Sequence, residues 1–107
     1  MTILNESNIQ DTTKKGLSLI TFAADWCVAC TKLTEKLTVL DNRIKNDRIS
    51  FYYVDVDESP MLELEWNISH YPTLILMKDS KELSRTSGNM ELQEIKKFIA
   101  ASITTNL

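Results

Sequence analysis

The stretch that decides the fold is Leu17-Ser-Leu-Ile-Thr-Phe-Ala-Ala-Asp-Trp-Cys-Val-Ala-Cys30. Its first half, residues 17–23, is rich in apolar and β-branched side chains and predicts a buried strand. A helix of about four to five turns is predicted next by apolar residues spaced four, three and four apart, namely Leu33, Leu37, Leu40 and Ile44. Cys27 is therefore expected where a buried strand passes into a helix.

Similar patterns predict the other elements. A weak helix is expected within residues 5–15, and strands are expected at 49–56, 73–78 and 82–86, the last two joined by a tight turn at Asp79-Ser80. Ser59 and Pro60 predict a short helix with Ser59 as its N-cap, and spaced apolar residues over 92–103 predict a last helix. This order favours a three-layer α/β/α sandwich with a central mixed sheet, forming a single domain over residues 1–107.

Composition narrows the possible classes of protein. The chain has 107 residues, 43% of them hydrophobic, which suits one domain with one core. The 12 basic residues do not cluster, so no nucleic-acid partner is expected. No apolar run reaches the ~20 residues of a membrane span, and the first residues lack the pattern of a secretory signal. We therefore expect a cytoplasmic monomer, with an extracytoplasmic or periplasmic location as the alternative if the chain is part of a longer exported protein.

Cys27 and Cys30 are the only cysteines. A disulfide between them closes too small a loop to stabilise a fold much, and zinc would want more ligands than these two and the single histidine, His70. Redox chemistry is the stronger interpretation, with inert buried thiols as the alternative. A helix start favours a thiolate at Cys27, the attacking species, and Cys30 lies one turn further, where it can cleave a mixed disulfide.

Residues Ala24–Cys30 after a buried strand, together with Tyr71-Pro72-Thr73 at the start of a later one, resemble the thioredoxin superfamily. The resemblance covers essentially the whole chain and implies a thioredoxin-like sandwich. In that superfamily the proline matching Pro72 is cis, lies against the cysteine pair and presents backbone to an incoming peptide. The run Ala24–Cys30 looks most like the C-terminal thioredoxin-like domain of the membrane electron carrier DsbD.

The resemblance implies a thiol:disulfide oxidoreductase, working as a reductase or an electron relay. Cys27 and Cys30 would be catalytic, while Trp26, Tyr71 and Pro72 would contact the substrate. The implied partners are a protein disulfide and a dithiol or reductase electron donor, with no metal or organic cofactor. The alternative is a non-catalytic module that uses the Pro72 groove to bind a partner, against which two intact cysteines argue.

Three positions depart from the patterns of these relatives. Thr21 stands where the superfamily usually buries an aspartate that assists proton transfer, and Glu35 stands where thioredoxin has a helix-kinking proline. Thr34 stands where the DsbD domain has a second acid. With fewer carboxylates nearby, the thiolates should be less disfavoured by negative charge, and proton delivery to Cys30 should fall to water or another group.

Several other side chains have a functional and a structural interpretation. Asp25 is expected to cap the helix rather than face a partner, and His70 is expected to be a solvated loop residue rather than a cation near Cys27. Asp55 and Asp57 are interpreted as solvating a loop. The apolar residues of the segment from Met61 to Trp66 are interpreted as core rather than as a binding groove.

Overall fold

A computed structural model describes residues 1–44 and 48–105 of the chain. The elements are β1 (Thr2–Leu4), α1 (Ile9–Thr12), β2 (Leu17–Ala23), α2 (Val28–Ile44), β3 (Ile49–Asp55), α3 (Pro60–Glu65), β4 (Thr73–Lys78), β5 (Lys81–Ser87) and α4 (Leu92–Thr105). The strands form one sheet in the order β1-β3-β2-β4-β5. β1, β3 and β2 are parallel, whereas β4 is antiparallel to both β2 and β5. The expected mixed sheet is therefore confirmed.

The core lies on both faces of this sheet, because successive side chains of a strand point to opposite faces. On one face Leu19 packs with three buried leucines of α2 and with Ile95 of α4. On the other face Ile20 and Phe22 pack with Ile9 of α1 and Leu62 of α3. Helices therefore cover both faces, which gives the predicted three-layer α/β/α sandwich.

Two predictions about the first elements are corrected by the structure. The sequence analysis missed β1, because this edge strand has three residues and only Leu4 is buried. The helix expected within residues 5–15 spans only Ile9–Thr12, since Ile9 is its single buried residue. Short elements that bury one side chain have no apolar periodicity that a sequence could reveal.

The start of α3 also differs from the prediction. Ser59 directly precedes the helix, but its side chain makes no capping hydrogen bond. Its backbone makes the local contacts instead: the Ser59 N–H donates to the Asp55 carbonyl at 2.9 Å, and the Ser59 carbonyl accepts from the Leu62 N–H at 3.1 Å. By contrast, the predicted turn at Asp79-Ser80 is confirmed, with φ values of 49° and 73° that suit a two-residue hairpin.

The order of the strands in the sheet determines where the cysteine pair lies. β2 lies in the middle of the sheet between β3 and β4, and all but the first of its residues are buried. Only residues 24–27 separate its carboxyl end from α2. Because β2 and β3 are parallel, the loop after β3, which contains Asp57, leaves the sheet at the same edge. The carboxyl ends of the central strands therefore carry the cysteine pair and its surroundings.

Candidate active site

Cys27 and Cys30 form a disulfide with their Cα atoms 5.2 Å apart. Cys27 is the residue immediately before α2, and Cys30 lies in the first turn of that helix. Cys30 is only 1% exposed, whereas Cys27 is half-buried. An incoming partner can therefore approach Cys27 more easily than Cys30.

The cysteines themselves shape the start of α2. The Cys27 sulfur accepts a hydrogen bond from the Cys30 backbone N–H at 3.2 Å, and the Cys27 carbonyl accepts from the Thr31 N–H at 3.1 Å. The expected capping role of Asp25 is not found: within residues 1–44 and 48–105 its carboxylate accepts no hydrogen bond from the helix start, and the Cys27 sulfur is the capping acceptor instead. When the disulfide is reduced, the same N–H and the helix dipole would favour a thiolate at Cys27.

Trp26, the residue directly before Cys27, packs against Tyr71, and we call these two side chains the aromatic rim. Their ring centroids are 5.7 Å apart and their planes are nearly perpendicular, at 83°. Trp26 is 65% exposed, and its Nε1–H donates to Asp57 Oδ2 at 2.9 Å. The structure thus brings together two residues that the sequence analysis had assigned to the site, 45 positions apart in the chain.

Tyr71 precedes Pro72 through a cis peptide bond, as the resemblance implied. Its phenol is half-buried and its hydroxyl donates a hydrogen bond to Glu63 Oε1. This hydrogen bond is the main cause that raises the pKa of Tyr71 to about 12, with burial and the negative charges of Glu63 and Asp57 adding to it. Glu63 was not predicted as part of the site, because no motif links a helix acid to a tyrosine eight positions later.

The raised pKa of Tyr71 predicts a pH dependence. An ordinary phenol has a pKa of about 10, so between about pH 10 and pH 12 residue 71 should keep its proton in the folded chain and lose it in the unfolded one. The stability that this proton contributes is present below pH 10 and is lost as the pH rises through 12. Absorbance titrations of the phenolates in the wild type and in Tyr71→Phe should differ by one group titrating near pH 12. A difference group that titrates near pH 10 would contradict the hydrogen bond to Glu63.

The three departures noted in the sequence have separate environments. Thr21 is completely buried in β2, and its Oγ1 has no hydrogen-bond partner among residues 1–44 and 48–105. Thr34 and Glu35 line a cavity of about 590 Å³ beside α2, which Tyr53 also lines. The helix runs without interruption through Glu35, as expected where no proline is present. The pKa of Tyr53 is raised, mainly by burial and further by the negative charges of Asp55, Asp25 and Asp57.

The other residues considered in the sequence analysis are exposed, order a loop or pack in the core. His70 is exposed, and its carbonyl accepts a hydrogen bond from Thr73 Oγ1 at 2.6 Å. Asp55 Oδ1 accepts from the Asp57 N–H at 2.9 Å and so orders the loop after β3. In the stretch from Met61 to Trp66 the core interpretation holds for part of the residues: Leu62 is buried, whereas Met61 and Leu64 are exposed.

The described part of the chain lacks a metal-binding cluster and a membrane-spanning helix. Within residues 1–44 and 48–105, no group of three or more His, Cys, Asp or Glu side chains is arranged to hold a metal ion. None of the helices in the same ranges has the length and apolar character needed to cross a membrane.

Comparisons with known proteins agree on one family. Residues 1–101 match the family model for thioredoxin. The chain is 35% identical over 98 residues to a thioredoxin of Chlamydia trachomatis serovar D, an alignment that covers 92% of this chain and 94% of the relative. It is 30% identical over 101 residues to an H-type thioredoxin of Ricinus communis, covering 94% and 83% of the two chains.

A solved structure extends the likeness to three dimensions. The X-ray structure of Fasciola hepatica thioredoxin superposes with a TM-score of 0.82 at 25% identity, over 95% of this chain and 99% of that one. The finer resemblance to the C-terminal domain of DsbD is not supported, since these relatives are thioredoxins.

Proposed function

We propose that this chain reduces protein disulfides with Cys27 as the attacking thiol. The chain belongs to the thioredoxin family and is a thiol:disulfide oxidoreductase. The observation that supports this assignment most is the difference in burial between the two sulfur-bearing residues. Cys30 is 1% exposed, whereas Cys27 is half-buried at the helix start. Only the more accessible sulfur can meet a disulfide in another protein.

The reaction follows from thiol–disulfide exchange. In the reduced protein the Cys27 thiolate attacks one sulfur of the substrate disulfide; that S–S bond breaks, and the other substrate sulfur leaves as a thiolate and takes up a proton. Cys30 then loses its proton, attacks the Cys27 sulfur and releases the second substrate thiol. Two electrons have moved to the substrate, and the Cys27–Cys30 disulfide present in this structure is the product. A dithiol or a reductase must then return two electrons.

Docking of the substrate is proposed to use Trp26, Tyr71 and Pro72. Within the described ranges no hydrogen bond engages the Tyr71 backbone, so its N–H and carbonyl are available to an extended peptide. The Pro72 carbonyl, in contrast, already accepts from the Gly88 N–H at 2.9 Å. The exposed Trp26 ring beside Tyr71 offers apolar surface to the same peptide.

The family and the composition support a wider proposal. We infer that residues 1–107 act as one domain and as a monomer, with the cysteine pair as the only redox group and no metal or organic cofactor. A reducing compartment such as the cytoplasm suits a protein that must be kept in its dithiol form. The partners are a protein disulfide and an electron donor of the dithiol or reductase type.

Reduction of insulin with dithiothreitol as the electron source tests this function. The wild-type protein should accelerate the precipitation of the insulin B chain over dithiothreitol alone, with many turnovers per molecule. The double variant Cys27→Ser/Cys30→Ser is the control that retains the fold and the aromatic rim. Equal rates for the wild type and the double variant would refute the reductase and favour the alternative, a module that binds without turnover.

A further inference from the structure

Glu63 lies outside the cysteine motif, yet it contacts the aromatic rim. It belongs to α3, and that helix is held to the core by the fully buried Leu62. The Glu63 carbonyl accepts the Ile68 N–H at 2.9 Å, which fixes the backbone at the end of the helix. Its carboxylate therefore has a rigid support, and it accepts the Tyr71 hydroxyl.

The rim is held from both ends. At one end Asp57 accepts the indole N–H of Trp26 at 2.9 Å, and Asp57 itself belongs to a loop ordered by Asp55. At the other end Glu63 accepts the hydroxyl of Tyr71, and the two rings meet between these acids in a perpendicular contact. The Tyr71 ring also packs against the core cluster that contains Leu62. The two acceptors restrict the rotation that an exposed tryptophan and a half-buried tyrosine still retain, so a binding partner has less ordering to do.

We propose that Glu63 is a positioning residue for the docking of protein disulfides, acting through the Tyr71 hydroxyl to hold the Tyr71 ring against Trp26. The inference rests on the function proposed above and deepens it. A peptide that pairs with the Tyr71 backbone contacts a preformed wall made by the two rings, so less entropy is lost on docking. A small disulfide such as cystine reaches the Cys27 sulfur without using that wall.

Three variants test whether Glu63 acts by positioning the Tyr71 ring or in another way. Glu63→Ala removes the acceptor and Tyr71→Phe removes the donor, whereas Glu63→Gln keeps a neutral amide oxygen that can still accept the hydroxyl. Glu65→Ala is the matched control, because Glu65 is an exposed acid on the same helix. Each reduced protein is mixed with insulin and, separately, with cystine, and the second-order rate constant of disulfide reduction is measured.

The expected results are specific. Glu63→Ala and Tyr71→Phe should each slow the reaction with insulin about five- to tenfold, because the docking wall is no longer pre-ordered. Glu63→Ala should change the reaction with cystine less than about twofold. The double variant should be no slower than either single variant, since both remove one contact. Glu63→Gln should restore most of the insulin rate, and Glu65→Ala should equal the wild type.

Other outcomes overturn the inference. Equal insulin rates in Glu63→Ala and the wild type would mean that the contact does not assist docking. Equal losses in Glu63→Ala and Glu63→Gln would mean that the substrate senses the charge of Glu63 rather than the position of Tyr71. If the wild type itself fails to reduce insulin catalytically, the proposed function has failed, and that result is distinct because it precedes any comparison of variants.

Discussion

Replacing Cys27 with Ser is expected to lower the turnover of insulin disulfides by at least about a thousandfold, because the attacking sulfur is lost and Cys30 is too buried to replace it. Cys30→Ser should also lose turnover, but for a different reason. Its Cys27 thiolate can still attack, so the protein should become trapped as a mixed disulfide. The two variants therefore fail at different steps of one reaction.

The comparison is internally controlled, because both variants lose the same disulfide. Any loss of stability that follows from the missing Cys27–Cys30 bond should be equal in the two proteins, and thermal unfolding of both variants against the oxidised wild type checks this. Insulin turnover is followed by precipitation of the B chain, and the covalent adduct by non-reducing electrophoresis. Adduct formation by Cys27→Ser at the rate shown by Cys30→Ser would contradict the assigned roles.

Thr21→Asp is expected to destabilise the fold by about 2–4 kcal/mol at neutral pH, because it places an ionisable carboxylate in a fully buried strand position. Burial should raise the pKa of the new carboxyl above the value of about 4 that it has in the unfolded chain. The sign of the pH effect follows: the loss of stability should be smaller near pH 4 than near pH 8. Urea denaturation at both pH values measures it.

Thr21→Val is the matched variant and should have the opposite sign. The Thr21 hydroxyl lacks a partner within residues 1–44 and 48–105, so replacing it with a methyl group of similar shape removes a desolvated polar atom. We expect a gain of about 1 kcal/mol in the free energy of unfolding. A loss in Thr21→Val would show that the hydroxyl is hydrogen-bonded in solution, and a Thr21→Asp protein as stable as the wild type would show that the site admits water.

The elements that surround the cysteines could be predicted because their apolar patterns are continuous. The bounds of β2 and β4 were predicted as the structure has them, since buried runs such as residues 18–23 leave no ambiguity at either end. β1 escaped prediction because a three-residue edge strand gains its structure by pairing with β3, which the sequence of residues 2–4 does not encode.

The residues of the site could be predicted from the sequence, but the hydrogen bonds that hold their side chains could not. Trp26 and Tyr71 were assigned to the site from a motif, but the hydrogen bonds that Trp26 donates to Asp57 and Tyr71 donates to Glu63 depend on how two loops and α3 meet. Asp57 had been interpreted as a loop-solvating residue. The helix cap was assigned to Asp25 because acids are good caps, and the Cys27 sulfur could not be preferred over it without coordinates.

The central claim is that Cys27 attacks the substrate, and peptide mapping of a trapped complex tests it most directly. Reduced Cys30→Ser and Cys27→Ser proteins are each mixed with insulin, quenched with an alkylating agent, digested and analysed by mass spectrometry without reduction. The account predicts that insulin peptides are joined to the Cys27 peptide in the Cys30→Ser protein, and that the Cys27→Ser protein yields little adduct. Insulin joined to Cys30 in comparable yield would contradict it.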